Sequence, residues 1–92
     1  MTDDVRDNTA QQRFELDLDG GRIALANYRI SGAAMAISHT EVPKELEGRG
    51  IGSRLVRGVL AQARARGLKV RPLCPFVRAY MDRHPEYADL RA

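Results

Sequence analysis

Residues 46–55 read LEGRGIGSRL, and this stretch decides the fold. Glycines at 48, 50 and 52, with Arg49 among them, run directly into a helical pattern. Ile51, Leu55, Val56, Val59, Leu60 and Ala63 fall on one face at helical spacing, while Arg54, Arg57, Gln62 and Arg64 lie mostly away from it. Gly67 is a suitable C-terminal stop. Glycine is costly in the interior of an element. Three of them at a helix start therefore indicate a loop whose amides approach something closely, or else a plain flexible turn.

Upstream, Phe14–Leu18 alternates apolar and acidic residues as a half-buried strand does. Asp19-Gly20-Gly21 is a hairpin signal, Arg22–Ile30 reads as a second strand, Ser31-Gly32 turns again, and Ala33–Val42 is a third strand ending at Pro43. Turns this short join antiparallel neighbours. Downstream, Lys69–Cys74 is a short strand whose helical connection is long enough for a parallel crossover. Pro72 cannot donate to a ladder, so it belongs at an edge or where two strands diverge. Phe76–Arg83 is a second helix, with Pro75 near its start and His84-Pro85 ending it. The expected architecture is α/β: an antiparallel three-strand meander plus one parallel strand, with two helices. Met35, Phe76 and Met81 are candidate core residues, and Tyr87 of His84-Pro85-Glu86-Tyr87 is expected to anchor the tail on the core.

A chain of 92 residues with 43% hydrophobic content bounds this to one small domain with a real core. Residues 13–92 are read as that domain and residues 1–12, MTDDVRDNTAQQ, as a disordered leader. The leader lacks the basic and apolar regions of a signal peptide, and no apolar run approaches membrane-spanning length. The single cysteine, Cys74, precludes an internal disulfide. These features predict a cytoplasmic protein that does not engage membranes. The net charge of +3 hides an asymmetry: residues 1–48 carry 5 Lys/Arg and 9 Asp/Glu, and residues 49–92 carry 10 and 3. Either an anionic partner meets the second half or the arginines form a solvated face. Phosphates on a small molecule and nucleic acid both fit such a charge, but no aromatic platform interleaves with the basic residues, which argues against nucleic acid.

Strand, glycine-rich loop and helix in this order make an anion site, because a helix start leaves amides without internal partners and adds positive potential. No Gly-Lys-Ser/Thr follows, so this is not a Walker A loop. A meander precedes it and no second βαβ unit follows, so it is not a Rossmann fingerprint.

The stretch Glu47-Gly48-Arg49-Gly50-Ile51-Gly52 resembles the acyl-CoA loop of the GNAT superfamily of N-acetyltransferases, whose pattern is Gln/Arg-x-x-Gly-x-Gly/Ala between a strand and a helix. It matches at Gly50 and Gly52 and departs at Glu47. HTEVPKELEGRGIGSRLV, GLKVRPLCPFV and RHPEYADL are similar to the short single-domain members, over about residues 13–90. The resemblance implies a minimal GNAT-like fold binding acetyl-CoA. Amides of Arg49, Gly50, Ile51, Gly52 and Ser53, in the loop that Glu47 and Gly48 begin, would hold the pyrophosphate. His39, Thr40, Glu41 and Val42 would run beside the pantetheine arm, and an amide near Val42 would polarise the acetyl carbonyl. An opening between that strand and Lys69–Cys74 would admit the thioester.

Other positions depart from the family's pattern. Cys74 takes a strand-end place where the superfamily often has Asn, and the place of its general-acid Tyr falls at Met81, with Tyr80 one residue off. Cys74 is thus a candidate nucleophile, acid or wall residue. His39 and Glu41 share a face of their strand, as a base for the acceptor amine or as a surface pair. His39, Cys74 and His84 match no zinc spacing, so no metal site is assigned. Only Asp19-Gly20-Gly21 separates the first strands, where longer relatives carry helices that shape the acceptor site. The readings are an N-acetyltransferase for an unidentified amine, on a small molecule or a protein, or a non-catalytic acyl-CoA-binding module. Exposed sheet edges admit a monomer or a homodimer.

Overall fold

The structure, a computed structural model, describes residues 5–92. Strands β1 (Val5–Asn8), β2 (Arg13–Asp17), β3 (Ile23–Ser31), β4 (Ala34–Glu41) and β5 (Lys69–Pro72) form one sheet in that order. The first four are antiparallel neighbours, and β4–β5 is parallel. Helix α1 (Ile51–Ala65) makes the crossover and α2 (Pro75–Arg83) follows β5. Short 3-10 turns occupy Asp19–Gly21, Lys44–Leu46 and Pro85–Leu90. The meander, the parallel strand and both helices match the expectation from sequence. Among the described residues no helix is long and apolar enough to cross a membrane.

The core lies between one face of the sheet and α1. Phe14, Leu16, Ala24, Ala26, Met35, Ile37 and Val70 meet Leu55, Val56, Val59, Leu60 and Ala63, all buried. Each large aliphatic side chain so buried contributes about 1.5–3 kcal/mol. Met81 is also buried, and Tyr87 packs against the cluster from the tail. The opposite face carries Arg13, Glu15, Asn27, Arg29, His39, Lys69 and Arg71, and no described element covers it.

The sheet has a fifth strand where a leader was expected. Residues 1–4 of that stretch lie outside the described residues, but Val5–Asn8 pairs with β2. Polar contacts fasten it to the other layer. The Tyr28 hydroxyl donates to Asp7 Oδ1 at 2.6 Å, Arg66 pairs with Asp7 Oδ2 at 2.9 Å, and Gln62 Nε2 donates to the Val5 carbonyl at 2.8 Å. Burial, and then the hydrogen bond to the Asp7 carboxylate, push the Tyr28 phenol up to about 12 from its ordinary 10.0. Because the folded value is the higher one, the contribution of this proton is complete below pH 10 and is lost as pH rises through about 12. That rise from 10.0 to about 12 corresponds to roughly 2–3 kcal/mol. Urea unfolding at pH 9 to 12 is expected to show this decline in the parent, and a shallower one in Tyr28→Phe. Parallel declines in the two proteins would refute it.

The register of β3 and β4 shifts once. Tyr28 faces Ile37 and Asn27 faces His39, which leaves Ser38 bulged. A one-residue slip exchanges the faces of everything beyond it. Before the bulge Met35 and Ile37 point to the core. After it Thr40 stands opposite core residue Ala26, and His39 and Glu41 point to the open face.

Candidate functional site

Strand β4 runs past its last pair with β5, Ile37↔Pro72, through residues 38–41. Beyond that pair the Cys74 amide donates to the Ile37 carbonyl at 2.9 Å, and the chain turns into α2. Pro72 thus sits where the two strands part. A groove of about 460 Å³ opens on the helix side of this gap. Thr40 and Val42 form one wall, Glu47 and Gly48 lead into its floor at Gly50–Ser53, and Phe76 stands opposite.

The floor is the start of α1. Gly50 is the N-cap residue in the left-handed region, φ 76°, and no side chain caps the helix. The first intrahelical bond here runs from the Arg54 amide to the Gly50 carbonyl at 3.1 Å. The amides of residues 51–53 precede it, carry the positive end of the helix dipole, and border the groove. This donor set fits a diphosphate. Gly52 serves a further purpose: a Cβ there would stand 2.8 Å from the Phe76 ring. Phe76 is 40% exposed and lines the groove, which corrects its expected place in the core. The α2 positions facing the core are Val77, Tyr80 and Met81.

Arg49 does not line the groove. With Arg22 and Arg54 it borders a separate cavity of about 310 Å³ on the other side of the loop. Cys74 is buried, 5% exposed, at the N-cap of α2, with Sγ 3.5 Å from Thr40 Oγ1. Burial pushes its thiol up, but the Thr40 hydroxyl and the amides of Val77, Phe76 and Thr40 outweigh this and hold it below the ordinary thiol value. His39 Nε2 lies 2.9 Å from Glu41 Oε2 on the open face, away from Thr40 and Val42. The sequence reading left that face undecided. It did not single out Leu46 or Phe76 as groove residues, although Phe76 immediately follows the Cys74-Pro75 that starts α2. Tyr80 is 4% exposed and stacks on His84 with ring centroids 4.1 Å apart, so its hydroxyl does not border the groove.

The sequence model of the GCN5-related N-acetyl-transferases matches residues 13–90. The chain belongs to this acyltransferase family. Among solved structures, this GNAT chain is similar to a GCN5-like protein from Staphylococcus aureus determined by NMR, with 26% identity and a TM-score of 0.74. The match covers 100% of this chain and 91% of that one. No curated protein matches the GNAT chain.

Proposed function

We propose that this GNAT-family chain binds acetyl-CoA in the groove between β4 and α2 and transfers its acetyl group to an amine. The observation that carries the reading is the uncapped, glycine-built start of α1 facing a groove that ends where β4 and β5 part. In this reading the amides of residues 50–53 bind the pyrophosphate, and Thr40 and Val42 flank the pantetheine arm. Acetyl-CoA supplies an activated thioester. The amine nitrogen attacks its carbonyl carbon, the C–S bond breaks with its electron pair going to sulfur, and the amine gives up a proton. In this reading Thr40 on the groove wall, with Cys74 buried behind it at 3.5 Å from its hydroxyl, lies at the thiolate end, where the proton between them can meet the leaving sulfur. His39 and Glu41, on the open face, are placed to take a proton only from an amine arriving through the gap from that side.

A second reading, an acyl-CoA-binding module without turnover, is favoured by one observation: the buried, stacked Tyr80 leaves the groove without a tyrosine acid. Calorimetry with acetyl-CoA, with ATP as the phosphate control, tests binding. Intact mass on the same mixture tests covalent transfer, and thiol release with added amines tests turnover. Micromolar binding of acetyl-CoA alone is expected. A protein acetyl adduct that vanishes in Cys74→Ala would make the thiol an acyl carrier. Free-thiol release without an adduct would establish direct transfer. Binding with neither would favour the module, and no binding would remove both readings.

A further inference from the structure

The open face of the sheet carries charge in a pattern that the fold only partly uses. At its β1–β2 end the acids are matched. Glu15, 5% exposed, pairs with Arg6 and Arg13 and accepts from Asn8, and Arg6 also holds Asp17. At the β3–β5 end the register sets Arg29, Ala36 and Arg71 side by side. Both arginines are exposed, and neither guanidinium has a hydrogen-bond or ion partner among the described residues. Two strand spacings separate their backbones by about 10 Å, with only a methyl group between them.

Further along β4 the open face changes sign, through bulged Ser38 to His39 paired with Glu41. A cavity of about 410 Å³ lies at the transition, bordered by Asn27 to Arg29 on β3, Ala36 and Ser38 on β4, Leu73, and Gln11 and Gln12 of the β1–β2 turn. Arg71 is not in that lining but stands next to Ala36 at its edge, across from Arg29. Ser38 and Leu73 are the first residues beyond the last β4–β5 pair. The cavity therefore lies at the mouth of the same gap that the groove meets from the helix side.

We propose that this cavity receives the acceptor, and that the acceptor is a primary amine carrying an oxyanion, either carboxylate or phosphate. Arg29 and Arg71 hold the oxyanion across Ala36, and the amine lies along β4 toward Ser38 and the His39–Glu41 pair. The proposal rests on the acetyl-transfer reading for its purpose. Ala36 and Ser38 are two residues apart, about 6–7 Å along a strand, so three or four atoms between nitrogen and oxyanion span the distance. Two unpaired guanidinium groups repel amines that bring only positive charge.

The test is an amide NMR titration of the full chain, with and without saturating acetyl-CoA. The probes are 4-aminobutyrate and O-phosphoethanolamine, against butylamine and ethanolamine as counterparts lacking the oxyanion. The oxyanion amines are expected to shift the amides of Ala36, Ser38 and Arg71 saturably, at concentrations at least ten-fold below those of their counterparts. R29A/R71A, on exposed positions, should abolish those shifts while the rest of the spectrum stays in place. The stronger of the two probes identifies carboxylate or phosphate as the source. Equal shifts from butylamine, shifts confined elsewhere, no shifts, or shifts that survive R29A/R71A would each overturn the proposal. The cofactor reading is scored separately in the same spectra, by whether acetyl-CoA moves the amides of residues 50–53.

Discussion

Replacing Gly52 by valine is expected to raise the acetyl-CoA dissociation constant about 100-fold, or about 2.7 kcal/mol, while the thermal midpoint moves by only a few degrees. The two effects separate because of what borders this position. Gly52 has ordinary helical backbone, so a side chain introduces no left-handed strain. Its Cβ would meet the far end of Phe76 at 2.8 Å, and that half-exposed ring can swing outward at small cost. The added methyl groups would, however, project into the floor where the amides of residues 51–53 border the groove. Losing one charge-assisted amide bond, worth roughly 1.5–3 kcal/mol, accounts for the magnitude. Calorimetry on Gly52→Val and on Gly52→Val with Phe76→Ala distinguishes the causes. If the ring clash alone matters, removing the ring restores affinity. If the amide cradle matters, it does not. A dissociation constant for Gly52→Val within three-fold of the parent would remove the loop from the binding site.

The parts of the fold that obey a simple period were legible. Helix α1 shows its apolar face from Ile51 to Ala63, and Asp19-Gly20-Gly21 and Ser31-Gly32 mark the turns between β2, β3 and β4. The site was less legible because it begins where a period breaks. The inward-facing positions are odd at Met35 and Ile37 on β4, and even at Thr40 and at Val42 just past its end. That change of phase is the bulge at Ser38, and it was present in the sequence. Strict alternation through it keeps His39 and Glu41 together, as they are, but leaves open which face they share. Phe76 was misplaced for another reason. Aromatic character suggests burial, yet the core side of α2 is already filled by Val77, Tyr80 and Met81. The ring is then left over the one glycine that gives it room. The cation pair Arg29–Arg71 depends on register across three strands, and no local pattern carries that information.

A chain beginning at residue 9 is expected to lose about 4 kcal/mol of stability, with the thermal midpoint falling by about 20 °C. Strand β1 escaped the sequence reading because Val-Arg-Asp-Asn has one apolar residue to bury, and its attachment is polar. Burying Val5 contributes roughly 1.5–3 kcal/mol. Removing Asp7 leaves the Tyr28 hydroxyl without its acceptor and Arg66 without its carboxylate, about 1.5–3 kcal/mol for a hydrogen bond to a charged group. Arg66 also lies over the Phe14 ring, 5.7 Å from its centroid, so its release loosens the packing of α1 on β2. Gln62 loses the Val5 carbonyl on the same helix. Because these contacts gather at the C-terminal half of α1, and the glycine floor lies at the other end, the truncated chain should still bind acetyl-CoA if it folds. Its thermal midpoint should then rise with acetyl-CoA concentration by mass action. Urea and thermal unfolding of the truncated chain and of Asp7→Ala test the argument together, with Asp7→Ala expected to cost about half as much as the truncation. An unchanged midpoint in the truncated chain is the result a disordered leader would give, and it would remove β1 from the fold.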